Sequence, residues 1–287
     1  MNEAGTIMVT GAAGKLGSEV VRQLRAAGRA VVAVDRRAGN GADGVTERSL
    51  DLTDVDAVRD AVRSCDGIIH LAAFPDPFAA EPDVVFGNNT RATFNVLLAA
   101  TEHGVRTVVT ASSVCAFGMP YAPEPFPPEY VPVDEDHPLV PRDWYGLSKQ
   151  VDERTAEMFS RRTGITVVAL RFHWVSTVEE QRARVAALAD DPADGARELW
   201  GYVDLRDAAR ACLLGLTVSE PGMHPLVIAA PDSLSETPTR ELLAAFQPGV
   251  TVAASMDGTA GGWATARARE RLGFTARHSW RDPDVRR

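Results

Sequence analysis

The sequence predicts an α/β fold, a doubly wound parallel sheet joined to a small C-terminal substrate-binding part. Three observations lead there. Short apolar runs alternate with helix-length amphipathic segments through the first half of the 287 residues, the pattern of a parallel sheet covered on both faces. A glycine-rich turn, Gly11-Ala12-Ala13-Gly14-Lys15-Leu16-Gly17, joins the first apolar run to the first such segment. The second apolar run, Ala30 to Val34, ends in Asp35.

Ile7-Met8-Val9 reads as the first strand, and Ser18 to Leu24 carries apolar residues at helical spacing. A glycine turn between them has a physical use. Gly11 allows a tight turn, Gly14 a close approach of backbone to a pyrophosphate, and Gly17 close packing of helix on strand. The first-turn N–H groups and the helix dipole then face the phosphates. The G-x-x-G-x-x-G spacing is one residue longer than the general Rossmann fingerprint and alone would suit an ordinary strand-to-helix turn. Asp35 stands about 20 residues past the loop, where a ribose 2′-hydroxyl needs an acceptor. Strand, loop, helix, strand and acid in that order predict a dinucleotide site.

The remaining elements follow in turn. A polar loop runs from Arg36 to Gly44, and a weak third strand leads to Leu50-Asp51-Leu52. Val55 to Ser64 reads as a helix with Val55, Val58 and Val62 on one face. Gly67 to Leu71 reads as a buried strand, with Ala72 and Ala73 at its carboxyl end. Ligands of open α/β sheets sit at those ends, and small residues leave room for them. Val85 to Glu102 reads as a long helix containing Asn88, Asn89, Thr93 and Asn95, and Thr107 to Ala111 as a strand ending in Ser112-Ser113. Eight prolines between Pro120 and Pro141 mark an irregular segment, and loops that long are usually functional or disordered. It is expected to form a wall or lid of the substrate pocket. A helix from Tyr145 to about Thr163 and a strand from Ile165 to Leu170 follow, the latter leading into Arg171-Phe172-His173-Trp174. Beyond it, Leu205 to Leu216, Thr239 to Phe246 and Ala264 to Leu272 read as helices and Pro225 to Ala229 as a strand. The expected division is a dinucleotide-binding region, residues 1–171, and a smaller substrate-binding region, residues 172–287, interleaved with the end of the sheet.

A net charge of −9 argues against nonspecific nucleic-acid binding and against anionic membrane surfaces. Cys65, Cys115 and Cys212 are few and far apart, which fits neither a disulfide framework nor a zinc site and suits a reducing cytosol. No metal is expected. The N-terminus lacks the basic and apolar regions of a signal peptide, and no apolar run approaches the ~20 residues that span a bilayer. A cytoplasmic location is the expectation.

Tyr145 and Lys149 lie four residues apart on one helix and so share a face. A phenol is a poor base at neutral pH, and a neighbouring ammonium favours its ionised form. Tyr145 is therefore expected to exchange a proton with a substrate hydroxyl or carbonyl, while Lys149 reaches the nicotinamide ribose. Ser113, at the end of the preceding strand, is placed to hydrogen-bond the same substrate oxygen.

With these residues in order, the chain resembles the extended short-chain dehydrogenases/reductases of the NAD-dependent epimerase/dehydratase family. The resemblance rests on Thr10 to Gly17, Asp35, Asp51-Leu52, His70 to Ala73, Asn89 with Thr93 and Asn95, Ser112-Ser113, and Tyr145 with Lys149. It implies a seven-stranded Rossmann sheet and an oxidoreductase acting on a sugar-like substrate. It implies too that Asp51 and Leu52 hold the adenine, that Leu71, Ala72 and Ala73 line the cofactor groove, that Asn89 lies under the cofactor and Phe172 near the nicotinamide. Family members often form homodimers through the two long helices. Val114-Cys115 stand where dehydratases of the family carry an Asp-Glu pair, so dehydration lacks its acid and base. His173-Trp174-Val175-Ser176 and a short C-terminal part resemble the uronate-dehydrogenase-like branch. Competing readings are an epimerase with tightly held NAD and a non-catalytic NAD-sensing protein, against which the Tyr145/Lys149 pair argues.

NAD is expected over NADP, because Asp35 would repel a 2′-phosphate that Arg36 and Arg37 would otherwise attract. Arg171, at a strand's carboxyl end with no acid beside it in sequence, is expected to clamp a substrate carboxylate or paired hydroxyls, His173 completing that pocket. The alternative is a salt bridge to a distant acid. His70 is expected to be structural, Asp134-Glu135-Asp136 a solvated loop face, and Arg267, Arg269 and Arg271 solvent-facing.

Overall fold

A computed structural model describes residues 5–37 and 44–283; most of the polar loop after Arg37 lies outside them. The chain runs β1 (Thr6–Thr10), α1 (Lys15–Ala26), β2 (Ala30–Asp35), β3 (Val45–Ser49), α2 (Val55–Val62), β4 (Gly67–His70), α3 (Pro82–Glu102) and β5 (Thr107–Ser113). It continues through β6 (Tyr130–Val131), α4 (Trp144–Thr163), β7 (Thr166–Phe172), β8 (Val175–Ser176), α5 (Val178–Asp190) and β9 (Val203–Asp204). It then forms α6 (Leu205–Gly215), β10 (Gly222–Ile228), α7 (Thr239–Phe246), β11 (Thr251–Val252) and α8 (Ala266–Leu272).

The main sheet has seven strands in the order β10-β7-β5-β4-β1-β2-β3, all parallel. Successive side chains of a strand point to opposite faces, and here both faces are covered. Ile7 and Val9 pack with Val20 and Leu24 of α1 and Ala208 and Cys212 of α6. Met8, between them, packs with Val58 of α2, Val96 and Leu97 of α3 and Phe159 of α4. That double burial is why these strands read as continuous apolar runs. The chain reverses direction across the sheet between β1 and β4, the crevice where ligands of this fold sit.

The sheet's edge strand β10 comes from far along the chain, so the C-terminal part contributes to the sheet as well as covering its end. A separate core gathers there: Phe117, Met119, Val131, Val133, Trp200, Tyr202, Leu242 and Trp263 are all buried in it. The proline-rich segment is fixed by this core. β6 pairs with β11, Val133 bridges to Trp263, and Phe126 and Leu139 pack on the same cluster. Only its first residues, Pro120 and Tyr121, reach the large cavity. Most of the segment is therefore packed into this core and is not cavity wall.

Helix α5 and a 3-10 helix, Pro192–Glu198, are elements that the sequence reading passed over. α5 opens on a capping box in which the Thr177 side chain and Glu180 satisfy each other's backbone N–H groups, the arrangement that marks a helix start.

Candidate active site

The glycine turn meets its physical requirements atom by atom. Gly11 has φ +68°, and a Cβ there would stand 2.9 Å from the Ala72 nitrogen. A Cβ on Gly17 would stand 2.1 Å from the Gly11 carbonyl oxygen, so no larger residue fits between turn and helix. Gly14 caps α1 with no side-chain hydrogen bond, which leaves the first-turn N–H groups of α1 available to an outside acceptor. The end of β4 is pinned to β1 beside this turn. The Thr10 hydroxyl accepts from the N–H groups of Leu71 (3.1 Å) and Ala72 (3.2 Å). His70 is buried against Thr10 (2.7 Å) and Thr93 (3.3 Å). Burial pushes its imidazole down to about 3, so it is neutral and structural.

From this turn a cavity of about 840 Å³ runs along the carboxyl ends of the strands, within the usual range for ligand sites. Gly11, Gly14, Lys15, Leu16, Gly17, Asp35, Asp51 and Leu52 line one end. Leu71, Ala72 and Ala73 line its middle, and Ser113, Tyr145, Lys149, Phe172 and His173 the other end. Two members of the expected set are placed differently. The Ala13 N–H donates to Asp35 (3.0 Å) and its carbonyl accepts from Arg37 (3.0 Å), so it braces the turn instead of lining the cavity. Asn89 also turns away from the cavity. Its amide ties both backbone groups of Phe74 (2.8 and 3.1 Å) to the Ser148 hydroxyl (3.2 Å), and Asn88 faces the cavity instead.

The shape and chemistry of the first end fit a dinucleotide. The turn has no room for side chains, the helix start offers donors, and the Asp35 carboxylate stands at the carboxyl end of β2 in the cavity wall. Asp51 accepts from the Thr53 N–H (2.8 Å) and hydroxyl (2.9 Å), which holds its carboxyl below the usual range.

At the second end, α4 starts on an Asp143 cap that accepts from the Gly146 N–H (2.8 Å), and it presents Tyr145 and Lys149 to the cavity one turn apart. The Lys149 ammonium donates to the Ala111 carbonyl (2.9 Å) and lies 3.7 Å from Asp152. Burial pulls its pKa down, and Asp152 and Glu153 oppose that. Asp152, buried beneath it, is pushed up to about 7 by the same desolvation, against the pull of Lys149. Tyr145 does not have the lowered pKa that the Tyr-x-x-x-Lys spacing suggests. Burial, with the nearby Cys115 thiol, raises it well above the ordinary phenol value, and a hydrogen bond with Ser113 opposes this. Tyr145 therefore holds its proton at neutral pH. Lys149 sits 5.7 Å from the centre of its ring. Ser113 also accepts from the Cys115 N–H (3.1 Å). The Cys115 thiol is pushed up to about 12 by burial and is no nucleophile.

Arg171 corrects the sequence reading. It is no substrate clamp, because its fork is already occupied. Nε and Nη2 donate to the two carboxylate oxygens of Glu153 (2.9 and 2.8 Å), and Nη1 donates to the Glu135 carbonyl (3.1 Å). The guanidinium lies 5.0 Å from the Phe117 ring centre, and Arg171 is only 3% exposed. The distant acid is Glu153, 18 residues away in sequence. Glu135 is likewise no solvated acid. It is buried, accepts from the Val227 N–H (2.7 Å), and lies near Arg267, which pairs with Asp136 (2.8 Å). Arg271 pairs with Glu220 (2.6 Å). His173 does line the cavity, but both its ring nitrogens are engaged. Nε2 donates to the Glu198 carbonyl (2.9 Å) and Nδ1 accepts from the Trp174 N–H (2.6 Å). Burial lowers it to about 4, so it is neutral.

One cavity residue had no signal in the sequence. Glu198 ends the 3-10 helix, lines the cavity, and makes no side-chain hydrogen bond or ion pair among the described residues. Burial raises its carboxyl above the ordinary value.

A glycine turn, an acid at the second strand and a Tyr/Lys/Ser group in one cavity define a dinucleotide-dependent oxidoreductase of the short-chain type. Residues 7–229 match the NAD dependent epimerase/dehydratase family, and the chain belongs to it. It is 34% identical over 184 residues to an L-arabinose 1-dehydrogenase (NAD(P)(+)) of Haloferax volcanii, covering 62% of this chain and 70% of that one. It is 32% identical over 167 residues to a uronate dehydrogenase of Pseudomonas putida, covering 58% of this chain and 59% of that protein. Among solved structures, an NAD-bound short-chain dehydrogenase/reductase superfamily protein from Agrobacterium tumefaciens is 27% identical, with a TM-score of 0.72 and coverage of 96% of this chain and 93% of that one. The chain is thus an enzyme of the oxidoreductase/epimerase type that uses a nicotinamide dinucleotide.

Proposed function

We propose that the protein is a net oxidoreductase on a small sugar-like substrate, with NAD as its dinucleotide. The observation that carries this reading is the convergence of Ser113, Tyr145 and Lys149 at one end of a cavity whose other end is the glycine turn and Asp35. Bound NAD supplies the hydride acceptor or donor. Ser113 holds the substrate oxygen, and Tyr145 exchanges the proton with it. A phenol that keeps its proton at neutral pH needs no prior ionisation to donate during carbonyl reduction. In the oxidative direction it must first lose that proton, and the Lys149 ammonium beneath the ring favours the phenolate.

Asp35 supports NAD over NADP, since its carboxylate accepts ribose hydroxyls and repels a 2′-phosphate. Gly11, Gly14 and Gly17 would admit the pyrophosphate, Asp51 and Leu52 the adenine, Leu71 to Ala73 the groove between, and Phe172 the nicotinamide. From residues 172–287, His173, Trp174, Val175 and Glu198 would join side chains of the first region on the substrate side. The exposed apolar residues Val84 and Phe94 on α3 and Leu147 and Met158 on α4 support a homodimer through those helices.

The test is NADH absorbance with a panel of free sugars, uronates and nucleotide sugars. One NADH formed per substrate consumed is expected. A change of sugar configuration with no net NADH would replace this reading with an epimerase.

A further inference from the structure

Charged side chains are spread unevenly along the cavity, and Asp35 and Asp51 share the dinucleotide end with most of its cations. Its cationic side chains Lys15, Arg36 and Arg37 belong to the dinucleotide end. Around Tyr145 the ionisable neighbours are Cys115, Tyr121, Asp143, Glu198 and Asp76, and the last two bear on the Tyr121 hydroxyl. Among the described lining residues of that end, the only cation is Lys149, buried beneath Tyr145 and already bonded to Ala111 and Asp152.

Glu198 is built into this end with unusual care. Its backbone carbonyl accepts from His173 (2.9 Å), from the Trp263 indole (3.0 Å) and from the Gly201 N–H (3.1 Å). The two residues after it, Leu199 and Trp200, hold φ of 53° and 51°. That left-handed region is unfavourable for side-chain-bearing residues and persists only where the surroundings enforce it, most often at functional sites. The surroundings do enforce it here. Both residues are fully buried, and the Trp200 indole donates to the Pro192 carbonyl (2.8 Å). The strained turn leaves the Glu198 carboxylate on the cavity wall near Cys115 and Tyr121, with no described side chain bonded to it. Arg184, which pulls the carboxyl down electrostatically, is itself paired with Asp194.

Resting on the oxidoreductase reading above, we propose that Glu198 is the substrate-recognising acid of this site and selects neutral polyhydroxylated sugars over acidic or phosphorylated ones. A carboxylate accepts hydrogen bonds from two vicinal hydroxyls at once and gives stronger bonds than a neutral acceptor. It also sets a penalty of like charge against a uronate or phosphate in a site of low dielectric. Tyr121 and Trp174, on the same end of the cavity, offer apolar faces for the C–H side of a sugar ring. With Arg171 closed off by Glu153, nothing described at this end would balance a second anion.

The experiment measures binding and turnover on the NAD-saturated protein. Galactose, galacturonate, galactosamine and galactose 6-phosphate share one ring configuration and differ in charge; the glucose series is run in parallel. Binding is read by calorimetry in the parent, in Glu198→Gln and in Tyr145→Phe, and turnover by NADH. The parent should bind the neutral sugar at least 10-fold more tightly than its uronate or phosphate. Glu198→Gln should weaken neutral-sugar binding about 10-fold and narrow the neutral-to-acid ratio by a similar factor. The selectivity should survive in Tyr145→Phe, where turnover is lost. Tighter binding of the uronate, an amino sugar bound no better than the uronate, an unchanged ratio in Glu198→Gln, or no sugar binding would each overturn the proposal. Selective binding without NADH formation would leave it standing and remove the oxidoreductase reading instead.

Discussion

Glu153→Gln tests the reassignment of Arg171. The carboxylate accepts three hydrogen bonds, two from the Arg171 fork and one from the Ser112 hydroxyl (2.6 Å). Both side chains of the ion pair are 4% exposed. An amide of the same shape removes the charge that balances the guanidinium and turns a donor toward a donor. Breaking a buried pair from one side costs about 3–5 kcal/mol, mainly because the surviving charge is left without a partner. For a chain of this size that is a fall in Tm on the order of 10 °C. The assay is thermal and urea unfolding followed by tryptophan fluorescence. Arg171→Met combined with Glu153→Met should lose less than Glu153→Gln alone, since no charge then remains buried. Arg171→Lys should lose stability and leave the ratio of activity on acidic and neutral sugars unchanged. A loss under about 1 kcal/mol in Glu153→Gln, well below the cost of an unpaired buried charge, would refute the reasoning. So would an Arg171→Lys variant of parental stability whose acid-to-neutral ratio had shifted.

Three further outcomes are expected. Tyr145→Phe should lower turnover by about 10²–10⁴-fold while NAD affinity, measured by fluorescence titration, stays near parental; retained turnover would remove Tyr145 from proton transfer. Asp35→Ala should narrow or reverse the preference for NAD over NADP, and tighter NADP binding by the parent protein would contradict the role given to Asp35. Asp152→Asn should flatten the decline of Tm with rising pH between about 4 and 7. The folded-state pKa of Asp152, about 7, lies above the ordinary carboxylate value of about 3.9, so the folded protein binds the extra proton in that window and loses stability as pH rises through it. Parallel Tm–pH curves for parent and variant would show that Asp152 does not titrate there.

The parts legible in the sequence share a cause: local spacing carried them. The glycine turn, the acid ending β2, the serines ending β5 and the Tyr145/Lys149 pair are all read within one strand, turn or helix, and the cavity collects them. Arg171 was misread because its partner lies on another element. A signal did exist, since Glu153 stands four residues past Lys149 and eight past Tyr145 and so continues the same helical stripe. Asn89 and Asn88 differ by one position on α3, and only the packing of Asn89 against Phe74 and Ser148 decides which of them faces the cavity. Glu198 had no periodic context at all. It ends a 3-10 helix and precedes a left-handed turn, and neither has a sequence pattern when the residues in that turn are Leu and Trp rather than glycine.

The Arg171–Glu153 pair gains a meaning from what it joins. Glu153 stands on α4, the helix that carries Tyr145 and Lys149. Ser112, which donates to it, stands next to Ser113 on β5. Arg171 stands on β7 beside Phe172, and its third donor reaches Glu135, whose own carboxylate accepts from Val227 on β10. One buried network thus sets the catalytic helix against the strand ends that bear Ser113 and Phe172 and against the start of the C-terminal core. A charge buried for this purpose cannot also be offered to a substrate, because its donors are used and its exposure is gone. The arginine that spacing alone would give to the substrate instead holds the frame on which Tyr145 and Ser113 meet. Recognition of the substrate's polar groups then falls to side chains of the same cavity that have no such structural duty, and among the described ionisable ones Glu198 meets that condition.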